Sequence, residues 1–183
     1  MELVEEKTIR LLPKLMSGRV DVAFLRPPIH VPPTLDFCHL LYETPIVAVP
    51  STHPLARRKK LSISDIMNEP LIVPDRRSRP HSHDVTIKLF EKFGRVPSIA
   101  QIATEKQTII HVVSTGLGLA LVPRWISGMS LAGVTYIPLI LEEEDTTGRL
   151  PLAAAWMAGS RDPTRDSLMK LVHDNIDRYA SRA

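Results

Sequence analysis

The sequence predicts an α/β protein arranged as two lobes. Three observations lead there. Strand-like apolar runs alternate with helix-like segments along the whole chain. The 16 prolines are spread between those segments as punctuation, and no repeat or low-complexity tract interrupts them. The middle, residues 47–144, holds a complete set of alternating elements, which leaves the flanks, residues 1–46 and 145–183, to form the other lobe together. Two connections then cross between lobes, near residues 44–47 and 142–148. A crevice at such a double crossing is a natural small-ligand site.

Each element has its own reason. Residues 2–6 read as a short strand. A helix follows, with Thr8 as N-cap and an apolar stripe of Leu11, Leu12, Leu15 and Met16, stopped at Gly18. The run GRVDVAFLRPP (residues 18–28) is a buried strand of Val20, Val22, Ala23, Phe24 and Leu25. Pro27 and Pro28 end it, because neither can donate a ladder hydrogen bond. This strand–helix–strand unit predicts a parallel sheet with a right-handed crossover.

A proline-rich loop leads to a long strand-like run over residues 37–49, broken at PSTHPLARRKK. Ser62 or Ser64 caps a short helix before Pro70, and LIVP (Leu71–Pro74) is a buried strand. The cationic loop DRRSRPHSH, residues 75–83, opens a helix carrying Val85, Leu89, Phe90 and Phe93 that stops at Gly94. Residues 99–102 form another strand. Thr104 and Gln107 have capping-box spacing for a helix carrying Ile109, Val112 and Val113, which stops at Gly116. Strands at residues 118–123 and 134–137 flank a short helix near Trp125. EEEDTTG, residues 142–148, is a connector, and residues 150–156 are the last strand. Pro163 suits the first turn of a closing helix with Leu168, Leu171, Val172, Ile176 and Tyr179 on one face.

Composition narrows the function. Net charge is +3 over 183 residues, a mild excess and not the signature of a nucleic-acid arm. The lone Cys38 excludes an internal disulfide and suits a reducing cytoplasm. No apolar run approaches the ~18 residues of a membrane span, and the acidic start MELVEEKT has no signal-peptide pattern. No cofactor motif is present: GLG at residues 116–118 follows a helix and reads as its C-cap and a tight turn. His81-x-His83 has no second ligand pair at zinc-site spacing, Ser82-His83-Asp84 are sequence neighbours and not a triad, and no GxSxG occurs. The cationic runs at residues 57–60 and 76–79 are either solvated faces or phosphate contacts. Arg26, at the carboxyl end of a strand, is either a surface residue or a ligand contact, since ligands of open α/β sheets bind there.

GRVDVAFLRPP, IVAVPSTHPLA, DIMNEPLIVP and VVSTGLGLALVP occur in an order and at a spacing that resemble the regulatory domain of LysR-type transcriptional regulators. They look most like the subgroup that responds to muconate-like or benzoate-like inducers of aromatic catabolism. The resemblance implies a type II periplasmic-binding-protein-like fold. Each lobe would be a mixed, mainly parallel sheet flanked by helices, with residues 1–46 plus 145–183 as regulatory lobe I and 47–144 as regulatory lobe II. Family members carry an N-terminal winged helix-turn-helix, a linker helix, and a first strand and helix of lobe I. The resemblance implies that this sequence begins after them, so that DNA is met only through the N-terminal domain outside it.

The same resemblance implies a non-catalytic cytoplasmic sensor. It would bind a small carboxylated effector between the lobes, without a cofactor, and form an antiparallel homodimer or higher homo-oligomer. It places Thr8, whose hydroxyl sits at a strand-to-helix turn, among the effector contacts, as a helix start suits a carboxylate. It places Arg26 beside the cleft, where a guanidinium can grip a carboxylate bidentately, with Glu105 as partner or neighbour. Arg79, Pro80, His81 and Ser82 lie where the second lobe closes over the inducer; one position that is aromatic in the subgroup is Ser82 here. Arg76, Arg77 and Arg79 together make a field that favours an anion. Two rivals share the scaffold. A transporter's solute-binding protein would need a secretory signal, and a small enzyme would need a convergent acid, base or nucleophile set.

Overall fold

The computed structural model describes residues 2–28, 30–141 and 148–180. In chain order it contains helix α1 (Thr8–Met16), strands β1 (Ala23–Leu25), β2 (Leu35–Glu43) and β3 (Pro45–Pro50), and a 3-10 turn at Pro54–Arg57. Next come α2 (Ile63–Ile66), β4 (Leu71–Pro74), α3 (Pro80–Glu91), β5 (Ile99–Ala103), α4 (Lys106–Ser114), β6 (Ala120–Pro123) and a 3-10 turn at Arg124–Gly128. The chain closes with β7 (Val134–Pro138), β8 (Leu150–Met157), α5 (Pro163–Asp174) and α6 (Ile176–Ala180). Contacts group these into two units, Met1–Tyr42 with Pro151–Ala183, and Glu43–Leu150. No helix among the described residues is long and apolar enough to cross a membrane.

The second unit is organised around β3. Its sequence, PIVAVP, is apolar at every position because both faces are covered. Side chains alternate: Val47 and Val49 join Val85, Leu89 and Phe90 of α3 in one core, while Ile46 and Ala48 join Ile109, Ile110 and Val113 of α4 in the other. β3 pairs antiparallel with both β6 and β7, and β4 pairs parallel with β5. A parallel bridge between Leu71 and Leu119 joins the two sets into one layer, in the order β5-β4-β6-β3-β7. The layer is mixed as expected, but its antiparallel share around β3 is larger than the expected mainly parallel sheet.

Gly118 makes that junction possible. A Cβ there would lie 2.4 Å from the Pro70 carbonyl oxygen, which accepts the Leu119 N–H at 2.8 Å. The glycine is thus set by a close backbone approach, and Gly116, at φ +84°, is the helix stop. α2 begins at Ser62, whose hydroxyl and main-chain N–H both donate to Asp65. The loop after β4 is shorter than residues 75–83, since Pro80 already opens α3. Phe93 lies beyond the end of α3 and is exposed. The N-cap of α4 is Glu105, with no side-chain cap bond, so Thr104 and Gln107 do not form the expected capping box. Within the expected connector, residues 142–147 lie outside the described residues; Gly148 packs against Leu89 and Leu141.

The first unit has a three-stranded sheet, β1-β8-β2. Leu11 and Leu15 of α1 pack with Ala23, Leu25, Leu35 and Ala155. Several expectations are corrected here. Residues 2–6 form no strand, and β1 pairs antiparallel with β8, so the parallel strand–helix–strand unit is absent among the described residues. A strand forms only where a neighbour offers its N–H and C=O groups. β1 is limited to three residues, with Phe24 on its exposed face. Lys7, not Thr8, is the N-cap of α1; its carbonyl accepts from Arg10 and Leu11, which makes Thr8 the first helical residue. The expected single closing helix is two, α5 and α6, separated at Asn175, and neither buries a residue fully. Asp162 caps α5 through the N–H groups of Thr164 and Arg165.

Candidate functional site

β4 and β5 run parallel, and β6 joins β4 in the same sense through the Leu71–Leu119 bridge. The carboxyl ends of these strands therefore share one end of the layer, and the segments after them bring chemistry to it. Pro74 leads to the cationic turn and α3, Ala103 leads to Glu105 and α4, and Pro123 leads to Arg124 and Trp125. Neither α3 nor α4 carries a side-chain cap at its N-cap residue, and the main-chain N–H groups of their first turns face that end.

Arg79 holds the two helix starts together. It is the N-cap residue of α3; its Nε donates to the Thr104 carbonyl at 2.9 Å and its Nη2 pairs with Glu105 Oε2 at 3.2 Å. Pro80, His81 and Ser82 are the first three residues of α3. Within this unit the Glu105 carboxylate pairs with Arg79. Four of the expected contacts, Arg79 to Ser82, are thus contiguous, with Glu105 tied to the first of them.

The cationic turn is internally braced. Arg76 Nε donates to Asp84 Oδ1 at 2.8 Å. The Ser78 main-chain N–H donates to the Asp75 carboxylate at 2.9 Å. Hydrogen bonds from Ser78 hold the Asp75 carboxyl below its ordinary range, with Arg77 and His83 adding to the effect. His83 Nδ1 lies 2.9 Å from the Pro74 carbonyl; a carbonyl only accepts, so this nitrogen carries the proton. That bond anchors α3 to the end of β4, which gives His83 a structural role. Among the described residues no cluster of three or more His, Cys, Asp or Glu could hold a metal.

In the first unit, Thr8 stands at the start of α1. Arg26 follows β1 directly, and its Nη1 donates to the Pro151 carbonyl on β8 at 2.8 Å. Burial lowers its pKa to about 10, which leaves it charged at neutral pH.

Sequence reasoning missed Lys106 and Trp125 as a pair. The Lys106 ammonium lies 4.2 Å from the centroid of the Trp125 ring. They are 19 positions apart by number, one opening α4 and the other in the 3-10 turn after β6, and no spacing rule links them. An open hollow of about 550 Å³ runs along β5 and α4, lined by Gln101, Thr104, Thr108, Val112 and Leu117 among others. Its polar groups are hydroxyls and an amide, so the charged chemistry belongs to the strand ends and not to this hollow.

Comparisons with known proteins agree with this architecture. The family described as LysR substrate binding domain matches residues 1–177. HTH-type transcriptional regulator TtuA of Agrobacterium vitis is 52% identical over 182 residues, which is 100% of this chain and 60% of that protein. The chain thus spans well under two thirds of the length of that relative. Its fold is similar to the effector-binding domain of a BenM variant at TM-score 0.82 and 25% identity, covering 100% of this chain and 82% of the other. It is also similar to the BenM effector-binding domain with its effector benzoate, at TM-score 0.81 and 24% identity, covering 100% and 80%. The relatives are transcriptional regulators and not enzymes, and the fold is that of a type II periplasmic-binding-protein-like effector domain. The chain belongs to the LysR substrate-binding domain family.

Proposed function

We propose that this chain is the part of a transcriptional regulator that senses a small carboxylated metabolite, aromatic or muconate-like, and controls transcription through a DNA-binding domain elsewhere in the longer protein. One observation carries the reading: two uncapped helix starts, α3 and α4, are tied side by side by Arg79 and Glu105 at the carboxyl ends of parallel strands. Main-chain N–H groups, the His81 ring and the Ser82 hydroxyl suit a carboxylate there, and the helix field adds roughly 0.3–1 kcal/mol for an anion. A BenM effector domain with benzoate as its effector supports the same chemical class.

Residues Arg79, Pro80, His81, Ser82 and Glu105 are the proposed contacts of the second unit, which we take as regulatory lobe II. Thr8 and Arg26 are the proposed contribution of the first unit, taken as lobe I. The working protein is proposed to be a cytoplasmic homo-oligomer. A ligand regulates only if it binds one conformation better than another.

The test is native mass spectrometry and calorimetry with benzoate, cis,cis-muconate, shikimate and succinate. Retention of one intact acid per chain is expected. Consumption of the acid would indicate an enzyme, and failure of all four to bind would remove the carboxylate-sensor reading.

A further inference from the structure

We propose that the loop at residues 57–60 is an additional contact with DNA, in which Arg57, Lys59 and Lys60 take backbone phosphates away from the effector site. This rests on the reading of the chain as part of a transcriptional regulator, and not on the identity of its effector. The run RRKK places four cations within three Cα steps, at most ~11 Å. All four residues are exposed. Between His53 and Pro70 the sequence has two acids, Asp65 and Glu69, and the structure engages both. Asp65 accepts from Ser62 and pairs with Arg58 at 3.4 Å. Glu69 lies 3.4 Å from His53 Nε2. Among the described residues no acid or carbonyl holds the side chains of Arg57, Lys59 and Lys60. The turn at residues 75–79 is the contrast: two of its three arginines, Arg76 and Arg79, are paired with acids.

The loop is held at both ends. His53 caps the preceding 3-10 turn by accepting the Leu55 N–H, and the Arg58 N–H closes that turn on the Leu55 carbonyl at 3.0 Å. Leu61 is fully buried; its N–H donates to the Pro138 carbonyl at 2.9 Å, and its carbonyl accepts from Ile140 at 2.7 Å. The cations are thus presented from a fixed backbone, which loses little freedom on meeting phosphates. Leu61 bridges to Leu139, just past β7, so the loop adjoins the β7 edge of the layer, whereas the hollow lies at the β5 edge. A row of exposed cations suits a chain of phosphates; a small acid is held by groups that converge in a cleft. Leu55 and Ala56 pack on the core and Leu61 is buried, so the loop offers a membrane no apolar wedge. In the longer regulator, the DNA-binding domain keeps a duplex at raised effective concentration near this loop. Phosphate contacts of this kind position the protein without reading sequence.

The experiment follows the anisotropy of a labelled duplex of arbitrary sequence, about 20 base pairs long, as this chain is added at about 20–200 mM KCl. Three phosphate contacts predict a slope of about −2.7 in log binding constant against log salt, a fall of about fortyfold between about 50 and 200 mM. The triple variant Arg57→Gln, Lys59→Gln, Lys60→Gln is expected to weaken binding at the lowest salt by about tenfold or more and to flatten the slope. Lys60→Glu alone is a second variant, expected to act in the same direction. The control Arg19→Gln, Lys88→Gln, Lys170→Gln removes the same charge from exposed positions on other elements of a chain of net charge +3, and is expected to stay within about threefold of wild type. Circular dichroism checks that each variant folds. Equal loss in the loop variant and the control, wild-type affinity in the loop variants, or no binding by wild type at the lowest salt overturns the inference. Equal affinity for polyglutamate of matched charge overturns the assignment to DNA. The four acids are titrated on the same proteins, and the loop variants are expected to keep wild-type affinity for whichever acid binds. Failure of DNA with an acid still retained leaves the sensor reading standing; failure of every acid with loop-dependent DNA binding removes that reading and keeps the phosphate contact.

Discussion

Arg79 and Glu105 are 26 positions apart, yet their guanidinium and carboxylate meet at 3.2 Å, and the same guanidinium reaches the Thr104 carbonyl at 2.9 Å. One side chain thus joins the start of α3 to the end of β5. The two bonds are not equivalent. The Arg79 side chain is 21% exposed and that of Glu105 is 51% exposed, so solvent screens the ion pair more than the bond to the carbonyl.

Arg79→Met is therefore expected to destabilise the second unit by about 1–2 kcal/mol, and Glu105→Gln by less than about 0.5 kcal/mol. Urea unfolding followed by Trp125 emission in a Trp156→Phe background checks this. Equal losses would mean that the ion pair, and not the carbonyl bond, holds the helices together.

Gly118→Ala is expected to cost about 3 kcal/mol, because its Cβ would meet the Pro70 carbonyl, which is backbone and cannot rotate away. Gly116→Ala meets no neighbour within 4 Å and pays only for its positive φ, about 1 kcal/mol. The order of the two thermal midpoints decides whether packing or backbone conformation dominates at this junction.

Ser62 donates its main-chain N–H and hydroxyl to Asp65 at 2.8 and 2.7 Å, and these bonds hold the carboxyl below its ordinary value of 3.8. A carboxylate with a depressed native pKa stabilises the fold above its unfolded pKa and loses that contribution as pH falls through the native one. Asp65→Asn is expected to lower the urea midpoint at pH 7 and to flatten its fall as the pH drops below the ordinary carboxyl value of 3.8. Parallel curves for variant and wild type across that window would refute the linkage.

Phe90 and Phe93 lie one turn apart but meet different surroundings: Phe90 is fully buried against the β3 core, and Phe93 is 53% exposed. Phe90→Ala is expected to cost about 3–5 kcal/mol and Phe93→Ala within about 0.5 kcal/mol. Hydrogen exchange along β3 reports the difference directly.

Much of the second unit was legible in the sequence because its signals are local. LIVP is strand β4 in full, and Gly94 and Gly116 end their helices at positive φ. The single run expected over residues 37–49 is instead two strands, β2 and β3. Residues 2–6 failed for a non-local reason. Their composition suits a strand, but a ladder requires a partner backbone, and none pairs with them among the described residues. Thr8 and Thr104 misled because capping spacing was present without the backbone geometry that aims the side chain.

The candidate site divides in the same way. Sequence alone determined the family motifs and the alternation of elements, and it set the proposed contacts Arg79 to Ser82 side by side, since these follow from residue order along one segment. Only the tertiary structure decided that Arg79 meets Glu105, that His83 is anchored to Pro74, and that Lys106 rests on Trp125. His83 reaches back across one turn, whereas the other two contacts join segments separated by a helix and a strand, and the parallel register of β4, β5 and β6 is what makes their ends coincide. Local chemistry specifies which elements form; the pairing of distant backbones specifies which side chains can touch.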